Sequence, residues 1–199
     1  MDNKRALAAI YSMGIKGETA DARGLAIGLG LRVEEATEQI DALKRSGMVK
    51  LDGKRAGLTS KGRRSIRVVF IGGGFELIHY GHVYTISKAK SLGDVLVVSV
   101  ARDSTIRKRK KREPLIGERD RVRLLSSLRD VDAAILGVEG DIYVTLQKVK
   151  PDIVALGYDQ YHLEEEVRKE AVKRGIDLAV VRLDSPYPQI KTTKILREL

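Results

Sequence analysis

Cysteine is absent from this 199-residue chain, which excludes disulfides, thiolate metal sites and cysteine nucleophiles together. Asparagine occurs once, at Asn3, while 32% of residues are charged, a balance that proteins working at high temperature favour. No apolar run approaches the length a membrane helix needs, and MDNKRALAAIYSMG at the N-terminus has no apolar core followed by a cleavage site. Neither a membrane span nor an export signal is therefore read, and a cytoplasmic setting is expected. Histidine is scarce, with His79, His82 and His162 the three in the chain. What the chain has in excess is positive charge, 37 Lys and Arg against 27 Asp and Glu, for a net +10. That charge suits nucleic acid and suits a small anionic substrate equally well.

The rhythm of the sequence changes near residue 65. In residues 1–65, Ala6, Ala9, Ile10 and Met13 share one helical face, then Leu25, Ala26 and Leu29, then Val33, Ala36, Ile40 and Leu43. GLGLR forms the turn between the last two helices. Met48, Val49 and Leu51 then precede the turn Asp52-Gly53-Lys54-Arg55, and Gly57-Leu58-Thr59 return from it as a hairpin. Three helices and a hairpin in that order predict a winged helix-turn-helix domain over 1–65. From 66 to 199 the apolar runs IRVVFIG, DVLVVSVA, AAILGV, DIVALG and LAVVRL alternate with helical stretches at about 80–92, 117–128, 141–149, 163–174 and 191–198. Strands so uniformly apolar are covered on both faces, so the second domain is an α/β fold with a five-stranded parallel, doubly wound, Rossmann-like sheet.

In such a sheet a ligand sits beyond the carboxyl ends of the strands where the strand order reverses. The first strand runs into Gly72-Gly73-Gly74, where glycine lets the backbone turn and approach a ligand closely. A helix starting at about Tyr80–His82 points its positive end into the same crevice. His79 and His82, three apart at that helix start, share a face, and both imidazoles can reach one phosphate group. Phosphoryl and nucleotidyl transfer need positioning and charge neutralisation more than a protein nucleophile. No carboxylate lies at metal-partner spacing from the pair, and HEXXH is absent.

GGGFELIHYGH resembles the GxFDxxHxGH signature of the nucleotidyltransferase superfamily that includes the cytidylyltransferases, and the resemblance runs from about residue 66 to the C-terminus. Within it, "AKSLGDVLVVSVARD", "KREPLIGERDRVRLLSSLRDVD", "KPDIVALGYDQ" and "IKTTKI" are most similar to archaeal FAD synthetases, which are FMN adenylyltransferases. Glu76 stands where the signature has aspartate and Gly74 where it has threonine. The cysteines near the C-terminus of some of these synthetases are missing.

The resemblance implies adenylyl transfer from ATP to FMN, giving FAD and pyrophosphate, with Mg²⁺ or another divalent cation carried chiefly by the triphosphate and no protein metal ligand named. It implies that His79 and His82 bind the nucleotide phosphates and stabilise the transition state. Lys111, with Arg109 or Lys110, would reach a phosphate, and Arg121 in Glu118-x-x-Arg121 would be a further contact. Gly73, Gly74, Phe75, Tyr80 and Gly81 would line the nucleotide around the signature. Gly157 and Asp159 of GYDQ would hold base and ribose, and Thr192 and Thr193 would bind phosphate. Tyr187, between Pro186 and Pro188, offers a ring to stack on a flavin or a base. With strand order 3-2-1-4-5, the HYGH helix and GYDQ line one crevice. The basic run RKRKKR at 107–112, after the second strand, reads as a mobile phosphate clamp ahead of a solvated loop or a nucleic-acid patch. His162 reads as a surface residue.

Two alternatives stand beside this reading. Cytidylyl transfer from CTP to glycerol 3-phosphate or another polyol or sugar phosphate is the nearer one, although PYPQIKTTKI lacks the arginine and acidic residue of RTEGISTTKI-like ends. The other is a DNA-binding regulator with a nucleotide-sensing domain. Basic Lys50, Lys54, Arg55, Lys61, Arg63 and Arg64 gather in and beyond the wing, but Glu34, Glu35, Glu38 and Asp41 occupy the outward face of the presumed recognition helix. DNA binding is therefore not favoured, and the unit is expected to pack against the second domain or support a homodimer.

Overall fold

The structure, a computed structural model, describes residues 2–160, 162–190 and 192–195. The chain divides into two compact units at Arg67/Val68. The N-terminal unit contains helices α1 (Asn3–Lys16), α2 (Ala22–Leu29) and α3 (Val33–Arg45), the antiparallel strands β1 (Val49–Asp52) and β2 (Arg55–Leu58), and a short α4 (Ser60–Arg64) that the sequence pattern did not foreshadow. Asp2 and Asp21 cap α1 and α2 by accepting from Lys4 N and Gly24 N. Leu7, Ile10, Leu25, Ala36 and Leu43 fill the space between the helices. Val33, expected on the apolar face, is exposed at the start of α3.

The C-terminal unit is a parallel sheet ordered β5-β4-β3-β6-β7, from β3 (Val68–Gly73), β4 (Val95–Val100), β5 (Ala133–Leu136), β6 (Ile153–Leu156) and β7 (Ala179–Arg182). All six residues of β4 are buried, as a strand covered on both faces requires. Two aspartates pin the strand starts: Asp152 accepts from Val68 N at 2.6 Å, and Asp132 accepts from Leu96 N at 2.7 Å and from Lys90 Nζ at 2.6 Å. Helix α5 (Tyr80–Lys90) follows β3. Helices α6 (Asp103–Lys110) and α7 (Glu118–Ser126) lie between β4 and β5, α8 (Ile142–Val149) before β6, α9 (Glu164–Lys173) before β7, and α10 (Thr192–Ile195) last. The chain progresses outward from β3 through β4 to β5, then returns to the other side of β3 for β6 and β7. The switch point therefore falls between the carboxyl ends of β3 and β6.

One assignment changes. Residues 107–110 of the basic run are the C-terminal half of α6, with Lys111 as its C-cap and Arg112 just beyond, where a clamp loop was expected. Arginine and lysine are good helix formers, and cations are favoured at the negative end of a helix. Arg107 also pairs with Glu113 at 2.8 Å. Of the last helix expected at 191–198, residues 191 and 196–198 lie outside the described residues.

Candidate active site

β3 delivers the backbone into the glycine run at the switch point. Phe75 follows it in the left-handed region, at φ 49°. Its ring is buried and folds back over Gly73, where an added Cβ would lie 2.8 Å from Phe75 Cε2. Position 73 thus tolerates only glycine while Phe75 is in place. The same ring stands 5.3 Å from that of His82, so the strained turn sets one wall of the histidine site.

His79 is the N-cap of α5, and its carbonyl accepts from His82 N at 2.9 Å. The two imidazoles stack, with centroids 3.9 Å apart and planes 26° from parallel. Gly81 makes room for this, since a Cβ there would stand 3.2 Å from His79 Nδ1. The Nδ1 atoms of both histidines are buried without a hydrogen-bond partner. Such atoms are costly unless a ligand satisfies them. Burial pushes both imidazoles below their ordinary range. His82 falls to about 4, from burial and the neighbouring His79, against an opposing hydrogen bond to the Leu77 backbone. His79 is lowered by burial against the pull of Asp159. In the free protein burial disfavours the charged form of both rings, which lie at the N-terminus of α5, an end that favours anions.

Around the pair lies a cavity of about 250 Å³, whose lining brings together Gly73, Gly74, Phe75, His79, Gly81, His82, Gly157, Asp159, Tyr187 and Thr192. A second cavity of about 870 Å³ is lined by residues of β3, β4 and β6, by α6 and by the start of α8. The two share Gly72, Gly73, Gly74, Lys110, Ala155, Asp159 and Gln160 as a common wall. The site is bipartite, with a compact histidine-lined part and a roomier part that meet at the glycine run.

A family model described as cytidylyltransferase-like matches residues 70–198. The chain belongs to the cytidylyltransferase-like family. It is 48% identical over 132 residues to an FAD synthase of Methanothermus fervidus, covering 64% of this chain and 90% of that one. It is 44% identical over 140 residues to an FAD synthase of Thermococcus onnurineus, covering 69% and 93%. Among solved structures it resembles one described as the lipopolysaccharide core biosynthesis protein of Thermoplasma volcanium GSS1, at 44% identity and a TM-score of 0.58, over 60% of this chain and 98% of that one.

Within this cytidylyltransferase-like frame, several expected residues take other places. Lys111 caps α6 in a left-handed conformation and lines neither cavity, whereas Lys110 lines both. One residue along a helix turns a side chain by about 100°, so the choice among four adjacent cations is invisible to the sequence. Lys110 Nζ lies 2.5 Å from Glu76 Oε2, and Arg112 Nη1 lies 2.7 Å from Glu76 Oε1. The Glu76 side chain is fully buried. Burial would raise its pKa, but Arg112 and Lys110 hold it down at about 2. The glutamate that replaces the signature aspartate is thus the anchor of the basic segment. Arg109 lines the second cavity.

Arg121 is not at a ligand surface. It is completely buried and gives Nε to Ile116 O at 2.9 Å, Nη1 to Gly74 O at 2.5 Å and Nη2 to Asp103 Oδ1 at 2.7 Å. One of these three bonds holds the glycine turn from behind, and the other two tie Arg121 to Ile116 and to Asp103 at the start of α6. Tyr80 is exposed, outside the lining, with its ring edge-on to Tyr187 at 4.8 Å. His162 is no plain surface residue, because it lines the second cavity and burial lowers its pKa. Thr192 Oγ1 lies 3.5 Å from Leu77 O, while the Thr193 side chain falls outside the described residues.

One residue of this architecture had little signal in the sequence. Arg182, at the end of β7, donates to the carbonyls of Gly157, Gln160 and His162 at 3.0, 3.0 and 2.6 Å and pairs with Glu164 at 2.5 Å. It shapes the GYDQ loop from outside, and a lone arginine in an otherwise apolar strand was its only trace. Gln160 Nε2 then reaches Gly72 O at 2.6 Å, joining that loop to the glycine run.

Proposed function

We propose that this chain is an FMN adenylyltransferase that moves AMP from ATP to FMN, giving FAD and pyrophosphate. The observation that carries the reading is the wall shared by the two cavities, Gly72–Gly74 with Lys110 and Asp159. Nucleotidyl transfer needs a triphosphate and an acceptor phosphate to meet in line, and a common wall between two cavities is where they would meet. The FAD synthase relatives, at 44–48% identity, supply the choice of acceptor and donor.

In this mechanism ATP occupies the compact cavity with its phosphates on His79, His82 and the start of α5. FMN occupies the second cavity, whose volume of about 870 Å³ is ample for a tricyclic ring. An FMN phosphate oxygen attacks the α-phosphorus, a new P–O bond forms, and the bond to the β-phosphate bridging oxygen breaks as pyrophosphate leaves. The histidines and Lys110 neutralise charge that grows on the transferring and leaving phosphates, and no covalent enzyme intermediate arises. Among the described residues no cluster of three or more His, Asp or Glu is arranged to hold a metal. Glu76 is already occupied by two cations. A divalent cation would be carried chiefly by the triphosphate, with Asp159 the protein carboxylate at the shared wall that would help hold it. When bound, the ion would neutralise charge on the triphosphate.

The test is FMN-dependent release of pyrophosphate from ATP, with FAD identified by chromatography. Product from CTP and glycerol 3-phosphate, with none from ATP and FMN, would refute the assignment.

The N-terminal unit is proposed to be a winged helix-turn-helix domain that supports a homodimer and takes no part in the chemistry. The family match begins at residue 70, beyond it. Ile27, 85% exposed on α2, and the exposed Val33 give it apolar surface for a second copy. Glu34, Glu38 and Asp41 are exposed along α3, the wrong sign for a phosphate backbone. A chain of residues 66–199 is expected to keep adenylyl transfer, and the whole chain to bind DNA only weakly and at low salt. Loss of turnover in a folded truncation, or a tight complex that survives moderate salt, would refute this part. Among the described residues no helix is long and apolar enough to cross a membrane, and the proposed setting is the cytoplasm.

A further inference from the structure

We infer that Tyr143 is the stacking platform for the flat ring of the acceptor, on the wall of the second cavity; the identity of that ring as flavin rests on the proposed reaction. The cavity has apolar walls from Ile106, Val138 and Leu156 and a cationic side from Arg102, Arg109 and Lys110. Such a slot matches a planar, largely apolar ligand with an anionic end. Besides the imidazole of His162, two benzene-type rings contribute to its lining. Phe70 is fully buried in the middle of β3, which leaves Tyr143, partly exposed in the first turn of α8, to offer a face.

That ring is held in place with unusual thoroughness for a residue at a cavity lip. Asp141 Oδ1 accepts from Tyr143 N at 2.7 Å and fixes the start of the helix. The Arg174 guanidinium lies over the ring, 4.9 Å from its centroid. Arg174 is itself anchored by Glu170 and by Asp141 Oδ2 at 3.4 Å. One face of the phenol is occupied by a tethered cation, so the opposite face is the one on which a ligand can stack. An aromatic ring fixed before the ligand arrives loses little rotamer freedom on binding. Tyr187 lacks this character. It lines the compact cavity and sits edge-on to both Tyr80 and Tyr84, at 4.8 and 5.8 Å. Of the two partners left open for Tyr187, flavin or base, its position suits the base.

The experiment uses the full chain and reads FMN binding by quenching of flavin fluorescence without ATP, together with KM for FMN and for ATP. Tyr143→Leu is expected to raise the FMN Kd and KM about tenfold and to lose most of the quench, while the ATP KM stays within about twofold. Tyr143→Phe is expected to match the wild type, and Arg174→Gln to weaken FMN by a smaller factor through a looser ring. Should Tyr143→Leu fail to fold, Tyr143→Trp and Arg174→Gln carry the test, since changes in FMN affinity with constant ATP KM remain required of them. Wild-type FAD synthesis with FMN affinity unmoved in these variants would overturn the platform alone. A wild-type protein that forms no FAD would overturn the platform and the reaction together.

Discussion

Replacing either His79 or His82 with alanine is expected to lower kcat by about 10²-fold or more and to leave the fold intact, the loss typical of one charge-stabilising donor at a reacting centre. The two rings stack at 3.9 Å with unpaired buried nitrogens, so they act as a unit. The double variant should therefore be little worse than the poorer single one. Near-normal turnover from a folded double variant would remove the histidines from the chemistry. The same geometry ties binding to protons. His82 sits at about 4 in the free protein because burial and His79 disfavour its charged form. An arriving phosphate favours that form, so the complex holds more protons than its parts, and nucleotide affinity should rise as pH falls from neutrality toward about 4. Calorimetry in two buffers of different ionisation enthalpy should show proton uptake in the wild type and less of it in His82→Gln. In the absence of nucleotide the sign concerns stability. The unfolded chain binds protons that the buried imidazole refuses, so stability is retained above the ordinary imidazole pKa and declines as pH falls below it toward about 4.

How much of this was legible in the sequence depended on the range of the signal. Five β-branched runs and the glycines between strand and helix are local features, and the sheet and the switch point followed from them, down to a strand order that runs 3-2-1-4-5 within the sheet. The His-x-Gly-His spacing likewise placed two imidazoles on one face, because three residues is nearly one helical turn. Features set by long-range packing were not readable. Lys110 rather than Lys111 reaches the cavities because Glu76, more than thirty residues away, captures it. The basic run becomes a helix where a loop was expected, because an absence of apolar periodicity hides a helix that presents charge nearly all round. Arg182 and Tyr143 matter through three-dimensional neighbours, Gly157 and Gln160 in one case and Arg174 in the other, that no spacing rule connects.

Arg121→Met should unfold the protein more readily than any change at the cavity surface. The guanidinium is completely buried and satisfies Ile116 O, Gly74 O and Asp103 in three directions. Methionine fills much of the volume but leaves two carbonyls and a carboxylate without their donor. Breaking a buried pair in this way costs about 3–5 kcal/mol, a large part of the roughly 5–15 kcal/mol that stabilises a typical domain. The thermal midpoint should fall by about 10 °C or more. Arg121→Lys should recover little, since a single ammonium cannot serve three acceptors spread around a planar fork. The measurement also separates two roles for the residue. A direct nucleotide contact would show as a raised ATP KM with an unchanged melting curve. A scaffold behind Gly74 loses melting temperature first, and it loses turnover only as far as the glycine turn drifts from the line between the two cavities. Thermal or urea unfolding of Arg121→Met, set beside its ATP KM, decides between them, and an unshifted midpoint with a raised KM would return Arg121 to the nucleotide site.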